Sequence, residues 1–395
     1  MFRAGVEACL PGKILARHLP EPPPGRTILL AVGKAAMGMA AAAERDWPGE
    51  LAGLAVVPHG TPGSLRRIET MTAAHPVPDG ASLAAGERLL ALAGGAGADD
   101  LVLVLLSGGA SALAAAPAPG LMLEAKRALT EALLRSGAGI GEINIVRRHL
   151  SRLKGGRLGE AAQPARLVTL AISDVPGDRP EDIGSGPTVA DPSTAAAAAA
   201  VLARYGLSAP APFIESVKPD AAAGSRGEYR IVARGGDAIE AASTAAAALG
   251  YRPVIVDPCA TGEAGSVARD HAALALAAAP GSVLISGGEL GVAVRGTGRG
   301  GRNAHYALAL ALALRGAPGI HALAGDTDGI DGNCAAAGAF IDPGTLARAA
   351  ALRRDPARAL AECDAGGLFE AMGDALTTGP TGTNVNDLRI ILVDP

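Results

Sequence analysis

The sequence predicts an α/β protein with largely parallel sheets. Two observations carry this expectation. Continuous apolar runs rich in Val, Ile and Leu recur at 27–32, 54–57, 101–106, 167–172, 230–233, 253–256, 282–285, 320–324 and 388–393. Between most of them lie Ala-rich segments with helical spacing, at 80–93, 124–136, 237–249, 262–279 and 303–315. A strand that is apolar at every position must be covered on both faces, as in parallel sheets packed between helix layers. The length, 395 residues, exceeds what one core usually organises, so two domains are expected. The Pro-, Gly- and Ser-rich stretch 208–229 precedes a fresh strand-helix pattern and sets the expected domains at 1–220 and 228–395.

Composition narrows the partners. Hydrophobic residues make up 49% of the chain but aromatic ones only 2%, so the cores must be built from Ala, Leu, Val and Ile, and base stacking is not expected. A formal charge of -4 supplies no basic field for a polyanion, which points away from nucleic acid and towards small molecules. Cys9, Cys259, Cys334 and Cys363 form no C-x-x-C or His-pairing pattern and read as reduced thiols of a cytoplasmic protein. The Ala/Leu runs, such as 304–314, fall short of the roughly 20 residues a membrane span needs, so neither export nor insertion is expected.

In parallel sheets ligands gather at the carboxyl ends of strands, so the residues following each run matter most. After 27–32 comes Gly33-Lys34, one of only five lysines. A cation opening a helix opposes the helix dipole, and an anionic ligand would remove the conflict. After 101–106 comes Ser107-Gly108-Gly109-Ala110-Ser111, and after 282–285 the similar Ser286-Gly287-Gly288-Glu289. Such glycines let backbone N–H groups approach an anion closely, although either turn could be a mere tight connection. Asp174 is the second residue of "SDVPGDRPEDIGSGPT" from 173 to 188, and Asp326, Asp328 and Asp331 fall in "GDTDGIDG". These carboxylates are the candidate ligands for a divalent cation, although the second stretch is not an EF-hand loop, because Ile330 and Ala337 stand where oxygen ligands are needed.

The basic segment 142–159, with Arg147, Arg148, Arg152, Lys154 and Arg157, reads either as an amphipathic helix or as an anion site. Gly296-Thr297-Gly298-Arg299-Gly300-Gly301 fits G-x-G-x-x-G but lies late in the chain and carries arginines, so dinucleotide binding is weakly supported. No Walker-type G-x-x-x-x-G-K-[ST] and no G-x-S-x-G elbow occurs. Phosphate-cradling turns, carboxylates for magnesium and mobile cations together indicate phosphoryl transfer.

The blocks "VGKAAMGMA", "LLSGGASAL", "GEINIVRRHLSRLKGGRLG", "ISDVPGD", "IGSGPTVADP", "GRGGRN", "AGDTDGIDG" and "TGPTGTNVNDLRIILV" resemble, in order and over nearly the whole chain, the glycerate 2-kinase family, whose C-terminal part is called the MOFRL domain. The resemblance implies ATP-dependent, Mg²⁺-assisted phosphorylation of D-glycerate to 2-phosphoglycerate. It also implies two three-layer α/β domains, Rossmann-like and MOFRL-type, with the active site in the cleft between them. Lys34 and Arg302 are then the expected catalytic cations and Asp174 a further catalytic residue. Ser107, Gly108, Gly109, Ser111, Lys154, Ser286, Gly287, Gly288, Glu289 and Asn303 are the expected nucleotide contacts, and Asp174, Asp326, Asp328 and Asp331 the expected metal ligands. Two departures, Glu289-Leu290-Gly291 and Asn333-Cys334, leave the charged positions intact. The alternative enzyme is an NAD(P)H-dependent hydroxypyruvate reductase, a label family members have carried, and a homodimer is compatible with either.

Overall fold

The structure, a computed structural model, describes residues 1–220 and 227–395. The middle of the expected linker, 221–226, lies outside the described residues. Two compact units emerge, Pro11–Val232 and a second made of Met1–Leu10 with Ala233–Pro395.

In the first unit, β1 (Thr27–Val32), β2 (Leu51–Pro58), β3 (Ile68–Ala73), β4 (Leu101–Leu106), β5 (Arg166–Ile172) and β6 (Gly227–Ala233) form one sheet in the order β3-β2-β1-β4-β5-β6. The pairings from β3 through β5 are all parallel. β1 and β4 are buried at every residue, which explains their unbroken apolar sequences. Leu30, Val32, Leu54, Val56, Val104 and Leu106 share one core with Leu89 of the helix Gly80–Gly94. Each such side chain contributes on the order of 1.5–3 kcal/mol by leaving water.

The expected boundary shifts here. The sequence reading gave 230–233 to the second domain, but β6 sits beside β5, and Tyr229 and Ile231 pack on the first core. The opposite shift occurs at the start of the chain. The helix Phe2–Ala8 joins the second unit, where Phe2 and Val6 pack with Ile239 and Leu388.

The second unit holds β7 (Arg252–Asp257), β8 (Ser282–Ser286), β9 (Ile320–Asp326), β10 (Gly338–Ile341), β11 (Ala375–Leu376) and β12 (Asp387–Val393), in the order β11-β10-β9-β12-β8-β7. β7 and β8 are parallel, and β12 lies antiparallel between β8 and β9. β7, β8, β9 and β11 therefore share a direction, while β10 and β12 oppose it. The helices Ala264–Ala277 and Arg302–Leu314 pack through alanines, Ala264, Ala268, Ala272 and Ala275 against Ala304, Ala307 and Ala311. Small side chains at helical spacing allow close axial approach, which is how a chain so poor in aromatics fills its core.

The helix Arg302–Leu314 begins without a side-chain cap from its own N-cap residue, Gly301. Asp331 supplies the cap from a distant loop: its Oδ1 accepts from Asn303 N at 3.0 Å and its Oδ2 from Ala304 N at 2.8 Å. A Cβ at Gly301 would lie 2.3 Å from Asp331 Oδ1, so glycine is required for this approach. Burial pushes the Asp331 carboxyl up from 3.8 to about 6, against the two N–H groups that favour the charge.

Because the raised value favours the protonated form in the fold, this contribution to stability is present below about pH 4 and lost as pH rises through about 6. Asp331→Asn should therefore flatten the fall in stability across that window while lowering stability by about 1–2 kcal/mol through the poorer cap. Urea titrations at several pH values check both effects. Parallel stability curves for the two proteins would rule out the titration of Asp331 as their cause.

Candidate active site

The order of the first sheet reverses direction of growth at β1 and β4, the place where open α/β sheets bind ligands outside their carboxyl ends. Lys34 follows β1, Ser107-Gly108-Gly109 follows β4, and Asp174 follows β5, on three adjacent strands. The turns are bound to each other. Lys34 N donates to Gly108 O at 2.8 Å, and Ala35 N donates to Ser107 Oγ at 3.0 Å. Gly109 has φ +84°, and a Cβ there would come 2.9 Å from His75 Cδ2 and 3.5 Å from Lys34 Cγ. The stem of Lys34 and the imidazole of His75 thus flank this glycine. Lys34 and Asp174 are half-buried, and His75 is exposed.

Several expected ligands of this unit have other partners. The Ser107 hydroxyl is buried as a brace between the β1 and β4 turns. Ser111 Oγ meets Ser185 Oγ at 3.0 Å, tying in the "IGSGPT" loop, whose residues Gly184, Ser185 and Gly186 are all left-handed. Lys154 is fully buried, its Nζ donating to Ser111 O at 2.9 Å and Ala114 O at 3.0 Å. Burial, then Lys126 and Arg147, hold its ammonium well below the usual range. It braces the turn through the carbonyls of Ser111 and Ala114.

Most cations of the basic segment are held by the fold. Arg148 pairs with Asp182 at 3.2 Å and Asp191 at 3.1 Å, and Arg157 donates to the carbonyls of Arg148, Ser151 and Lys154. Its helix Ile140–His149 buries Val146, with Ile145 half-buried, and Leu150 and Leu153 are buried beyond its end. Arg148 and Arg157 are satisfied by the fold, and Arg152 pairs with Glu87 and donates to Pro117 O at 3.1 Å, which favours the helix reading for these residues.

The second unit gathers its expected residues around Arg302. Its Nε donates to both oxygens of Asp387, at 2.9 and 3.0 Å, its Nη2 to Asp326 Oδ2 at 2.8 Å, and its Nη1 to Glu289 Oε1 at 2.7 Å. Burial disfavours the charge on Arg302, but Asp387, Asp326 and Glu289 outweigh it and raise its pKa. Burial, then Asp328 and Asp387, push the Asp326 carboxyl well above the usual range, with Arg302 opposing. Asn303 Nδ2 also reaches Asp387 Oδ1 at 2.8 Å.

The turn Ser286-Gly287-Gly288 repeats the geometry of its counterpart after β4. Gly288 has φ +86°, and a Cβ there would lie 2.4 Å from Ala260 N. The serine is again turned inward, its Oγ accepting from Arg389 Nε at 3.2 Å. Asp387 and Arg389 were not among the expected site residues. Their signal was two charged residues two apart at the start of the otherwise apolar run 388–393, which places both on one face of the strand.

The carboxylates expected to hold magnesium in this unit are engaged by turn amides and by Arg302. Asp326 Oδ1 accepts from Asp328 N at 3.0 Å while its Oδ2 holds Arg302. Asp328 Oδ1 accepts from Ile330 N at 2.9 Å, and both oxygens of Asp331 cap the helix. Among the described residues no group of three or more His, Cys, Asp or Glu side chains is placed to hold a metal ion. No described helix is long and apolar enough to cross a membrane.

Residues 1–218 match a family described as a domain of unknown function, DUF4147, and residues 282–387 match the MOFRL family. The chain is 38% identical over 403 residues to the D-glycerate 2-kinase of Thermotoga maritima, covering 100% of this chain and 97% of that one. It is 35% identical over 482 residues to the glycerate kinase of Homo sapiens, covering 100% and 92%. A protein of Agrobacterium vitis with the provisional name hydroxypyruvate reductase is 46% identical over 407 residues, covering 100% and 93%. A crystal structure of glycerate kinase from Thermotoga maritima superposes with a TM-score of 0.88 at 36% identity, covering 99% of this chain and 97% of that one. With sequence and fold matched from end to end, the chain belongs to the glycerate kinase family that carries a MOFRL domain.

Proposed function

We propose that this protein transfers the γ-phosphoryl group of ATP to the 2-hydroxyl of D-glycerate. The observation that carries this reading is Lys34, half-buried in a glycine-bearing turn bound to the Ser107-Gly108-Gly109 turn at the sheet's reversal point. Full-length relatives named for glycerate phosphorylation support it.

In this reading the hydroxyl oxygen attacks the γ-phosphorus, the bond to the β–γ bridging oxygen breaks, ADP leaves, and the hydroxyl proton is released to solvent. Lys34 and Arg302 neutralise charge developing on the transferring group, and Asp174 orients the attacking hydroxyl. Gly108, Gly109, Gly287 and Gly288 serve the nucleotide through backbone groups rather than through the buried serines. Arg302 can approach an anion by releasing Glu289, its most exposed partner, while Asp326 and Asp387 keep hold. Mg²⁺ would be brought by ATP and would neutralise charge on its phosphates, with Asp174, Asp326, Asp328 and Asp331 the residues of this chain that could assist in holding it. A cytoplasmic location remains part of the proposal.

The name of the Agrobacterium relative favours one second reading, reduction of hydroxypyruvate with NAD(P)H. The strand order suits a dinucleotide, but the first turn reads Gly33-Lys34-Ala35 and lacks the G-x-G that lets backbone approach a pyrophosphate.

A coupled assay should detect ADP formed from ATP and Mg²⁺ only when D-glycerate is present, with 2-phosphoglycerate as product. NADH absorbance should not fall with hydroxypyruvate in the absence of ATP. The reverse pair of results would replace the kinase reading by the reductase. Lys34→Met should lower kcat by about 10²–10³, the usual effect of deleting one charge-stabilising group. Its stability should stay within about 0.5 kcal/mol of the parent, as for other substitutions outside a packed core. Normal turnover by that variant would exclude Lys34 from catalysis.

A further inference from the structure

We infer that Arg389 is a positioning residue for phosphoryl transfer, one that acts through Asp387 on Arg302. The inference rests on the kinase reading of Arg302 and deepens it.

Arg389 is only 1% exposed and lies on β12, beside β8. Its guanidinium makes two kinds of contact. Towards the reaction, Nη1 donates to Asp387 Oδ2 at 3.0 Å, and Asp387 in turn holds Arg302 Nε with both oxygens. Towards the glycine turn, Nε donates to Ser286 Oγ at 3.2 Å, while Nη2 donates to Gly287 O and reaches Gly288 O at 3.4 Å. One planar fork therefore fixes both the carboxylate that aims Arg302 and the turn proposed to receive the nucleotide.

The fork is itself held. Its Cζ lies 5.6 Å from the ring centroid of Tyr306, in reach of a cation–π attraction. The Tyr306 hydroxyl is 2.7 Å from His271 Nδ1, and the two rings meet edge to face with centroids 5.7 Å apart. Arg389 has no path to substrate in this arrangement, because every polar contact it makes is with a buried protein group. Its effect on the reaction must pass through what it positions. Lysine would keep the charge but not the fork, since its ammonium is a point charge that cannot span Asp387, Ser286 and two carbonyls in one plane.

A double-mutant cycle in the full-length protein tests this, using Arg302→Lys, Arg389→Lys and the two combined, with ATP and D-glycerate. Thermal unfolding of each variant scores the folded fraction. Arg389→Lys should lower kcat per folded molecule by about tenfold or more, because small misplacements of a charge-stabilising group cost that much. The combined variant should be within about twofold of Arg302→Lys alone, since residues acting through one another are not additive.

Multiplying effects would overturn the inference and leave the role of Arg302 intact. So would an Arg389→Lys variant that melts earlier but turns over normally, because that is a purely structural role. Normal turnover by Arg302→Lys alone would overturn both this inference and the catalytic reading of Arg302. If Arg389→Lys does not fold, Ser286→Ala takes its place in the cycle. That change loosens the fork without leaving a charge unpaired, and it should again be silent on top of Arg302→Lys. A multiplied loss would mean that the serine acts on the nucleotide directly, and would overturn the inference.

Discussion

The carboxylate of Asp387 is buried between two guanidinium groups, and the second unit is arranged around that contact. In the sheet, Asp387 is paired with Asp326 of β9, which sets two acids side by side. Like charges in such positions repel, and burial sharpens the repulsion. Arg302 answers it by donating to both acids, while Arg389 supplies the second positive charge from within the sheet. Removing one member of such a cluster leaves an uncompensated buried charge, at a cost of about 3–5 kcal/mol. The antiparallel insertion of β12 makes the geometry possible, because it alone brings residues 387 and 389 between the ends of β8 and β9.

The two Ser-Gly-Gly turns show how one backbone shape can serve different ends. Both follow a buried strand, both place the second glycine near φ +85°, and both turn the serine inward. In one the hydroxyl joins neighbouring turns by accepting from Ala35 N, and in the other it receives a buried arginine. The glycines fit where a backbone must pass close to another group. What surrounds them decides the chemistry.

Much of this was legible in the sequence. The runs 27–32 and 101–106 coincide with β1 and β4, because strands buried on both faces are written in apolar residues without interruption. β3 escaped notice because an edge strand tolerates the polar residues of "IETMTA", and β10 and β11 because they are short. The placement of Lys34 beside a glycine turn was readable from strand-then-turn order alone. The use made of each aspartate was not, since a carboxylate in a glycine-rich loop can cap a helix, hold an arginine or bind a metal with equal ease. Asp331 became a cap and Asp326 a partner of Arg302 through contacts 28 and 24 residues away in sequence. Lys154 illustrates the same limit, as only burial distinguishes a brace from a ligand.

The helix Phe2–Ala8 packs with Leu388 of β12, and Thr383 Oγ1 donates to Cys9 O at 2.7 Å, so segments 374 residues apart in sequence meet in one unit. Seen as a product of vectorial synthesis, this arrangement imposes a wait. The helix leaves the ribosome well before the strand that completes its sheet, by roughly 20–80 s at translation rates of about 5–20 residues per second. Through that interval the apolar face of Phe2 and Val6 has no final partner, and β8 and β9 lack the strand that belongs between them. The unit built from Pro11–Val232 has all its strands in hand much earlier. Nascent chains of this protein therefore carry a finished domain together with an open sheet edge, a surface prone to wrong pairing.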